Sequence, residues 1–267
     1  MGFQLRLAVL AALCVLVSAQ VARDGSGKRG FVADGCSGAA CADFSLLSRA
    51  SFYYDYNPSD PYAPNGSPLF VPMHWCTKGL ANATIPASVN ATFLLNFNEP
   101  NNAHNCNLPA LAVAQAMATV MKLWPDSLLV SPATAGNGIP WFDEFFGNCT
   151  ALYGPKGCRI SHLAVHDYSC DAANTMSYLK SVHDRYKLPV WLTEFSCGDG
   201  ADAKPTSQHL AYMKEILPLL EAAPFVFRYA WMSARDSKGL RGLVEVAPDG
   251  SQRLTVLGEA YNTIALP

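Results

Sequence analysis

Apolar runs that read as buried on both faces recur along this chain, and they restrict its fold more than any other feature. Thr92-Phe93-Leu94-Leu95-Asn96-Phe97 and Pro189-Val190-Trp191-Leu192-Thr193-Glu194 are the clearest. Similar strand-length runs cover 29–33, 51–56, 69–75, 127–131, 160–168 and 225–231. Strands without polar alternation need cover on both sides, as in a parallel sheet flanked by helices. Helical patterns fill the gaps. They span 41–49, a segment capped by Asn107 with Pro109 in its first turn, 140–146, 171–186, and a segment from Thr206. The second carries Leu111, Ala114, Met117 and Met121 at helical spacing, and the last carries Leu210, Met213, Ile216, Leu217 and Leu220. Pro72 weakens the third strand, because proline cannot donate to a ladder. The tail reads as a hairpin around Pro248-Asp249-Gly250 and a closing helix. Eight such alternations predict an α/β fold, a single-domain (β/α)8 TIM barrel, whose usual length is about 250 residues. An open doubly wound sheet is the alternative, but no strand leads into a Gly-rich phosphate loop.

The first residues stand outside that pattern. Residues 1–19 combine Arg6, a short apolar run and Val17-Ser18-Ala19, the signature of a cleaved signal peptide. Residues 20–27 read as a flexible leader, which leaves 28–267 as the folded domain. Of nine cysteines, Cys14 falls in the signal peptide, so an even number remains, as expected of a secreted disulfide protein. Spacing does not fix connectivity. Pairing neighbours in order would join Cys36 to Cys41, Cys76 to Cys106, Cys149 to Cys158 and Cys170 to Cys197. The absence of any C-x-x-C pair argues against zinc. Asn65, Asn82, Asn90 and Asn148 open N-x-S/T sequons and are expected on surface loops. Half of the residues are hydrophobic and the net charge is only -2, so no basic face for nucleic acid or polybasic membrane patch is expected. The chain is expected to be extracellular, with cell-wall association left open, and free of the membrane once the signal is cut.

Chemistry is expected where barrel strands end. Active sites of this fold sit at the C-terminal mouth. Glu99 follows the fourth strand and Glu194 ends the seventh, so a barrel would set them across the mouth from each other. Strict alternation puts Val190, Leu192 and Glu194 toward the axis. On the fourth strand it groups Leu94, Asn96 and Asn98, with Phe93, Leu95 and Phe97 toward the helices. No G-x-S-x-G, H-E-x-x-H or P-loop motif is present, and no cofactor or metal is called for.

Asn98-Glu99-Pro100 with a glutamate ending strand seven resembles the clan A retaining glycoside hydrolases. Further segments extend the likeness: Lys28-Arg29-Gly30, Phe70-Val71-Pro72-Met73-His74-Trp75, Ser131-Pro132-Ala133, His166-Asp167-Tyr168, Trp191-Leu192-Thr193-Glu194-Phe195 and Arg228-Tyr229-Ala230-Trp231. Together they resemble glycoside hydrolase family 128, the group with the alkali-sensitive-linkage-type catalytic core of fungal cell walls. The resemblance runs from about Lys28 to Tyr261 and implies endo-hydrolysis of β-1,3-glucan with retention.

It also implies roles. Glu99 matches the acid/base and Glu194 the nucleophile, a pair expected about 5–5.5 Å apart. Partial desolvation and the charge of Glu194 are expected to raise the pKa of Glu99. Asn98 is a candidate for the sugar 2-hydroxyl. His166 and Tyr168 share a face of strand six, so Tyr168 is expected to hold Glu194 and His166 to bind sugar hydroxyls. His162 lies on the same face. Trp231 and Trp75, at strand ends, are candidate sugar platforms, with Tyr54, Tyr56 and Trp141 as further rings. The chain departs from the family at strand two, where Tyr54-Asp55-Tyr56 stands for a Trp-containing signature, and after strand three, where Cys76 follows Trp75. These departures leave linkage and cleavage mode open. A glucan-binding protein without activity, or a clan A hydrolase of β-1,4-linked glycans, are the other readings.

Overall fold

The computed structural model describes residues 27–35, 41–60, 68–83 and 91–264. The expected signal peptide, most of the leader, the Cys36 half of one disulfide and the sequons at Asn65 and Asn90 lie outside these residues.

Eight strands form one sheet: β1 (Arg29–Val32), β2 (Phe52–Tyr54), β3 (Leu69–Phe70), β4 (Phe93–Asn98), β5 (Leu128–Thr134), β6 (Ile160–Asp167), β7 (Val190–Phe195) and β8 (Val226–Trp231). All the pairings are parallel, in the order β3-β2-β1-β8-β7-β6-β5-β4. A parallel bridge between Met73 and Leu95 joins the two edges and closes the barrel. Pro72 cuts β3 to two residues, yet its carbonyl still accepts from Leu95 N–H at 3.0 Å. The proline thus removes a donor at the seam and leaves an acceptor.

The covering helices are α1 (Asp43–Leu46), α2 (Ala110–Leu123), α3 (Ile139–Tyr153), α4 (Ala172–Tyr186), α5 (Thr206–Ala222) and α6 (Val256–Thr263). Pro109, not Asn107, holds the N-cap position of α2. The helix accordingly buries Ala110, Val113, Ala114, Met117 and Val120 and leaves Leu111 47% exposed, a stripe turned from the expected one. α3 runs well past Phe146, so the sequon at Asn148 lies within a helix, not on a loop. A hairpin of β9 (Val244–Val246) and β10 (Gln252–Leu254) precedes α6.

Facing on two strands differs from strict alternation. On β7, Val190 and Leu192 pack outward with Leu179, Val182 and Met213, while Trp191 fills the barrel interior beside Phe52 and Phe93. On β4, Phe93 and Leu95 lie inside and Leu94 and Phe97 pack under α2. The reason is register. β4–β5, β6–β7 and β7–β8 each carry shifts, including one between Val165 and His166 and one between Leu192 and Phe195. An extra residue in a ladder reverses which side chains face inward beyond it. Glu194 therefore joins the interior face only at the strand's last turn of pleat.

Candidate active site

The bulge near its end brings Glu194 to the mouth of the barrel, 5% exposed. Both of its oxygens are occupied by phenols. Tyr56, just past β2, donates to Oε1 at 2.9 Å, and Tyr168, just past β6, donates to Oε2 at 2.6 Å. Burial first, and then the charge of Glu194, push both tyrosine pKa values well above their ordinary value, so the phenols stay protonated donors. Tyr54 adds a layer below by donating to the Thr193 carbonyl at 2.9 Å.

Glu99 is the first residue past β4. Its backbone lies in the left-handed region at φ 42°, a conformation that non-glycine residues hold only where the surroundings enforce it. Its N–H donates to Ala133 O at 2.8 Å, which ties it to the end of β5. The chain then turns back, Asn102 N–H reaching Glu99 O at 3.0 Å. That turn delivers two side-chain amides, Asn102 at 2.7 Å and Asn105, onto Glu99 Oε2. Asn105 also accepts from Asn98 Nδ2 at 3.3 Å, and Asn98 N–H donates to Trp75 O at 2.7 Å.

His166 stands between the carboxylates. Its Nδ1 is 2.7 Å from Glu99 Oε1 and 3.3 Å from Glu194 Oε2. Burial opposes a charge on His166, but the charges of Glu194 and Glu99 outweigh it and raise its pKa. For Glu99, burial alone would raise the pKa, yet the hydrogen bond and charge of His166 and the amide of Asn102 outweigh it. The net direction is downward, opposite to the sequence expectation. Glu99 and His166 thus each favour the charged form of the other.

Glu99, His166 and Glu194 each present an atom within 4.8 Å of the others. A cation site needs similar closeness. Here, however, Nδ1 is already shared between two carboxylates and phenol O–H groups fill Glu194, so the set is organised for protons. Two carboxyl groups at this separation, one gripped by donors and one paired with a base, suit double displacement at a sugar.

A family model, "Glycosyl hydrolase catalytic core", matches residues 30–261. The chain belongs to this family. The chain is 26% identical over 244 residues to alkali-sensitive linkage protein 1 of Schizosaccharomyces pombe. That match covers 88% of this chain and 44% of the yeast protein, so the chain spans less than half of its curated relative. Among solved structures, a family 128 (subgroup I) endo-β-1,3-glucanase of Amycolatopsis mediterranei, in complex with laminaritriose, superposes with a TM-score of 0.73. It is 25% identical, over 89% of this chain and 99% of that one. A family 128 (subgroup III) curdlan-specific exo-β-1,3-glucanase of Blastomyces gilchristii, in complex with glucose, gives a TM-score of 0.67. It is 26% identical, over 90% of this chain and all (100%) of that one.

In this member of the family, the remaining expected residues separate into two groups. Asn98 and Trp75 stand at the mouth, Asn98 buried beside the Glu99 cradle and Trp75 with 41% of its surface exposed. Tyr168 does hold Glu194, as expected. His166 is 1% exposed, and its Nδ1 lies against both carboxylates. Trp231 is not brought to the site. It is fully buried on the helix side against Phe195 and His209, and its Nε1 donates to Arg241 O at 2.9 Å. The inward residue of that pleat is Ala230. Trp141 is likewise taken up by Phe145 under α2. His162 packs on Phe227, Phe93 and Trp191 inside the barrel, where burial and Arg228 lower its pKa to about 4.

Sequence reading passed over Asn102 and Asn105, and it took Tyr56 only as a sugar-stacking ring. The signals were present. Tyr56 follows Tyr54 at the strand period, and amides three and six residues past Glu99 meet it if the chain turns. Of the described disulfides, Cys76–Cys106 and Cys170–Cys197 flank these residues, while Cys149–Cys158 lies away from the mouth, between α3 and β6.

Proposed function

We propose that the chain is a secreted, retaining endo-hydrolase of β-1,3-glucan, with Glu99 as acid/base and Glu194 as nucleophile. One observation carries the reading: oxygens of Glu99 and Glu194 lie within 4.8 Å across the barrel mouth. That spacing suits a retaining pair, whose carboxyls are about 5–5.5 Å apart, and leaves no room for the water of an inverting enzyme, which needs about 6.5–9.5 Å. The substrate assignment is supported by the family 128 glucanases that share the fold over nearly their whole length.

In the first half-reaction, a Glu194 oxygen attacks the anomeric carbon while Glu99, protonated, gives its proton to the departing glycosidic oxygen. The products are a glycosyl ester on Glu194 and a shortened chain. In the second, Glu99 takes a proton from water, whose oxygen attacks the same carbon and frees Glu194. Two inversions restore the starting configuration. Tyr56 and Tyr168 fix both oxygens of the nucleophile, so little reorganisation is needed at the moment of attack. Asn98 is assigned to the sugar 2-hydroxyl and Trp75 to an apolar sugar face, through its exposed ring. No helix among the described residues is long and apolar enough to cross a membrane. Secretion rests on the leader sequence and the disulfides.

The test uses wild type, Glu99→Gln and Glu194→Gln on linear β-1,3-glucan, β-1,4-glucan and β-1,4-mannan. Wild type should cut only the β-1,3 chain, into a spread of lengths, and release the β-anomer first. Each variant should lose about 10²-fold or more. Glucan binding with no cleavage by wild type would make it a binding protein. An α-anomer first would rule out retention, release of glucose alone would make the action exo, and cleavage of β-1,4 chains would overturn the substrate.

A further inference from the structure

The hydrogen bonds at the mouth limit where the working proton can reside. Glu194 accepts a phenol O–H at each oxygen. Glu99 Oε2 accepts from the amides of Asn102 and Asn105. An amide nitrogen has no acceptor capacity, so a hydroxyl at Oε2 would point at donors. The one carboxylate oxygen of Glu99 left to carry a proton is Oε1, and it faces His166 Nδ1 at 2.7 Å. That length is typical of a charge-assisted bond.

We propose that His166 and Glu99 share the proton used for glycosidic cleavage, with His166 holding it in the free enzyme. This deepens the hydrolase reading and rests on it. In the free site Glu99 is a carboxylate with three donors upon it, which is the wrong form for an acid. His166 supplies what is missing. As sugar fills the mouth and excludes water, a separated ion pair loses its solvation and the neutral pair gains. The proton then moves from Nδ1 to Oε1, leaving neutral imidazole and a carboxylic acid. Rotation of the new hydroxyl turns the proton toward the glycosidic oxygen, which takes it as the carbon–oxygen bond breaks. When Glu99 later deprotonates water, that proton returns to the His166–Glu99 pair, and the cycle closes with one water consumed.

The charged groups facing the imidazole are Glu99 beyond β4, Glu194 on β7 and Asp199 in the loop after β7. All three favour a protonated ring. Tyr168 from its own strand and Tyr56 from β2 are spent on Glu194 and remain neutral. His74, His162 and His209 behave oppositely, since burial lowers their pKa values. They serve as internal controls within the same molecule.

The experiment follows the imidazole nitrogens of the 15N-labelled full chain from pH 4 to 9. It uses wild type, Glu99→Gln and Glu194→Gln, with His166→Asn to assign the signal. His166 should still be charged at pH 6.5, where His74, His162 and His209 are neutral, and each Gln variant should move its midpoint downward. In parallel, kcat/KM on a soluble β-1,3-gluco-oligosaccharide should lose activity on the alkaline side at the same midpoint. In His166→Asn, which keeps a hydrogen-bond donor, that alkaline limb should move into the carboxylate range, with kcat reduced about tenfold or more and KM little changed. A His166 that is neutral at pH 6.5, or indifferent to Glu99→Gln, overturns the proposal, as does an alkaline limb that His166→Asn leaves in place. The nitrogen titration needs no turnover. A shared proton in a protein that cleaves no glycan would sink the hydrolase reading alone, and a neutral His166 in an active enzyme would sink this proposal alone.

Discussion

Glu194 is gripped at both oxygens, and the two grips come from different strands. Under the proposed mechanism, Tyr56 and Tyr168 should therefore act on the orientation of Glu194 more than on substrate affinity. A hydrogen bond to a charged group contributes about 1.5–3 kcal/mol, or roughly 10- to 100-fold in rate. Tyr56→Phe and Tyr168→Phe should each lower kcat by about tenfold or more, with KM for β-1,3-glucan changed by less than about threefold. Steady-state kinetics on both variants decide it. A rise in KM at constant kcat would make the tyrosines sugar ligands. At this scale the sequence was readable where a side chain ends a strand: Glu99, Glu194 and Tyr168 follow from position alone. It was not readable where a partner depends on a loop's return path. Asn102 and Asn105 reach Glu99 only because the chain turns at Glu99 itself, in a left-handed conformation that no residue type there announces. Trp231 misled for the converse reason. A strand-end tryptophan faces the mouth or the helices depending on a single residue of register, and here it faces the helices.

Strands and disulfides divide the labour at the next scale. The ladders set the height of each strand end, and the irregularities in β4 and β7 turn Asn98 and Glu194 to the interior. Strict period-two reading explains β6, where His162, Ala164 and His166 all face in, and fails on β4 and β7, where bulges leave no compositional mark. Neighbour-in-order pairing of cysteines did anticipate Cys76–Cys106, Cys149–Cys158 and Cys170–Cys197. Short loops close at little cost to the chain, which favours such pairs. Two of them brace the site. Cys170 lies two residues beyond Tyr168 and Cys197 three beyond Glu194, with Gly198 N–H bonded to Tyr168 O at 3.0 Å. Each disulfide should add about 3 kcal/mol of stability. Their effects on rate should differ. Replacing Cys149 and Cys158 by Ser should lower Tm and leave kcat at 25 °C within about twofold, because that link is remote from the mouth. Replacing Cys170 and Cys197 by Ser should lower Tm and also reduce kcat by about tenfold, comparable to Tyr168→Phe. Equal effects of the two pairs on kcat would mean that the second is a stability element only.

The whole molecule is a closed ring, and closure is what makes the two glutamates a pair. The Met73–Leu95 bridge completes the circle on one side. On the other, β1 lies against β8, and α6 holds β1 and α1 through Tyr261 to Gly30 O at 2.6 Å and Asn262 to Leu46 O at 2.7 Å. This level was the most legible from sequence, since burial on both faces and eightfold alternation depend on many residues at once and tolerate local error. The short third strand with its proline was the one weak link, and a backbone carbonyl rescues it. The consequence of closure is chemical: carboxylates almost a hundred positions apart in sequence bring oxygens within 4.8 Å of each other across the mouth. The most direct test is to trap the covalent intermediate. An activated 2-deoxy-2-fluoro β-1,3-linked glucoside should lose its leaving group, glycosylate the protein and be hydrolysed off slowly, because the fluorine destabilises both oxocarbenium-like transition states. Peptide mass spectrometry should place one glycosyl unit on Glu194, and Glu194→Gln should carry none. A sugar on Glu99, or no adduct in a preparation that hydrolyses β-1,3-glucan, would contradict the account.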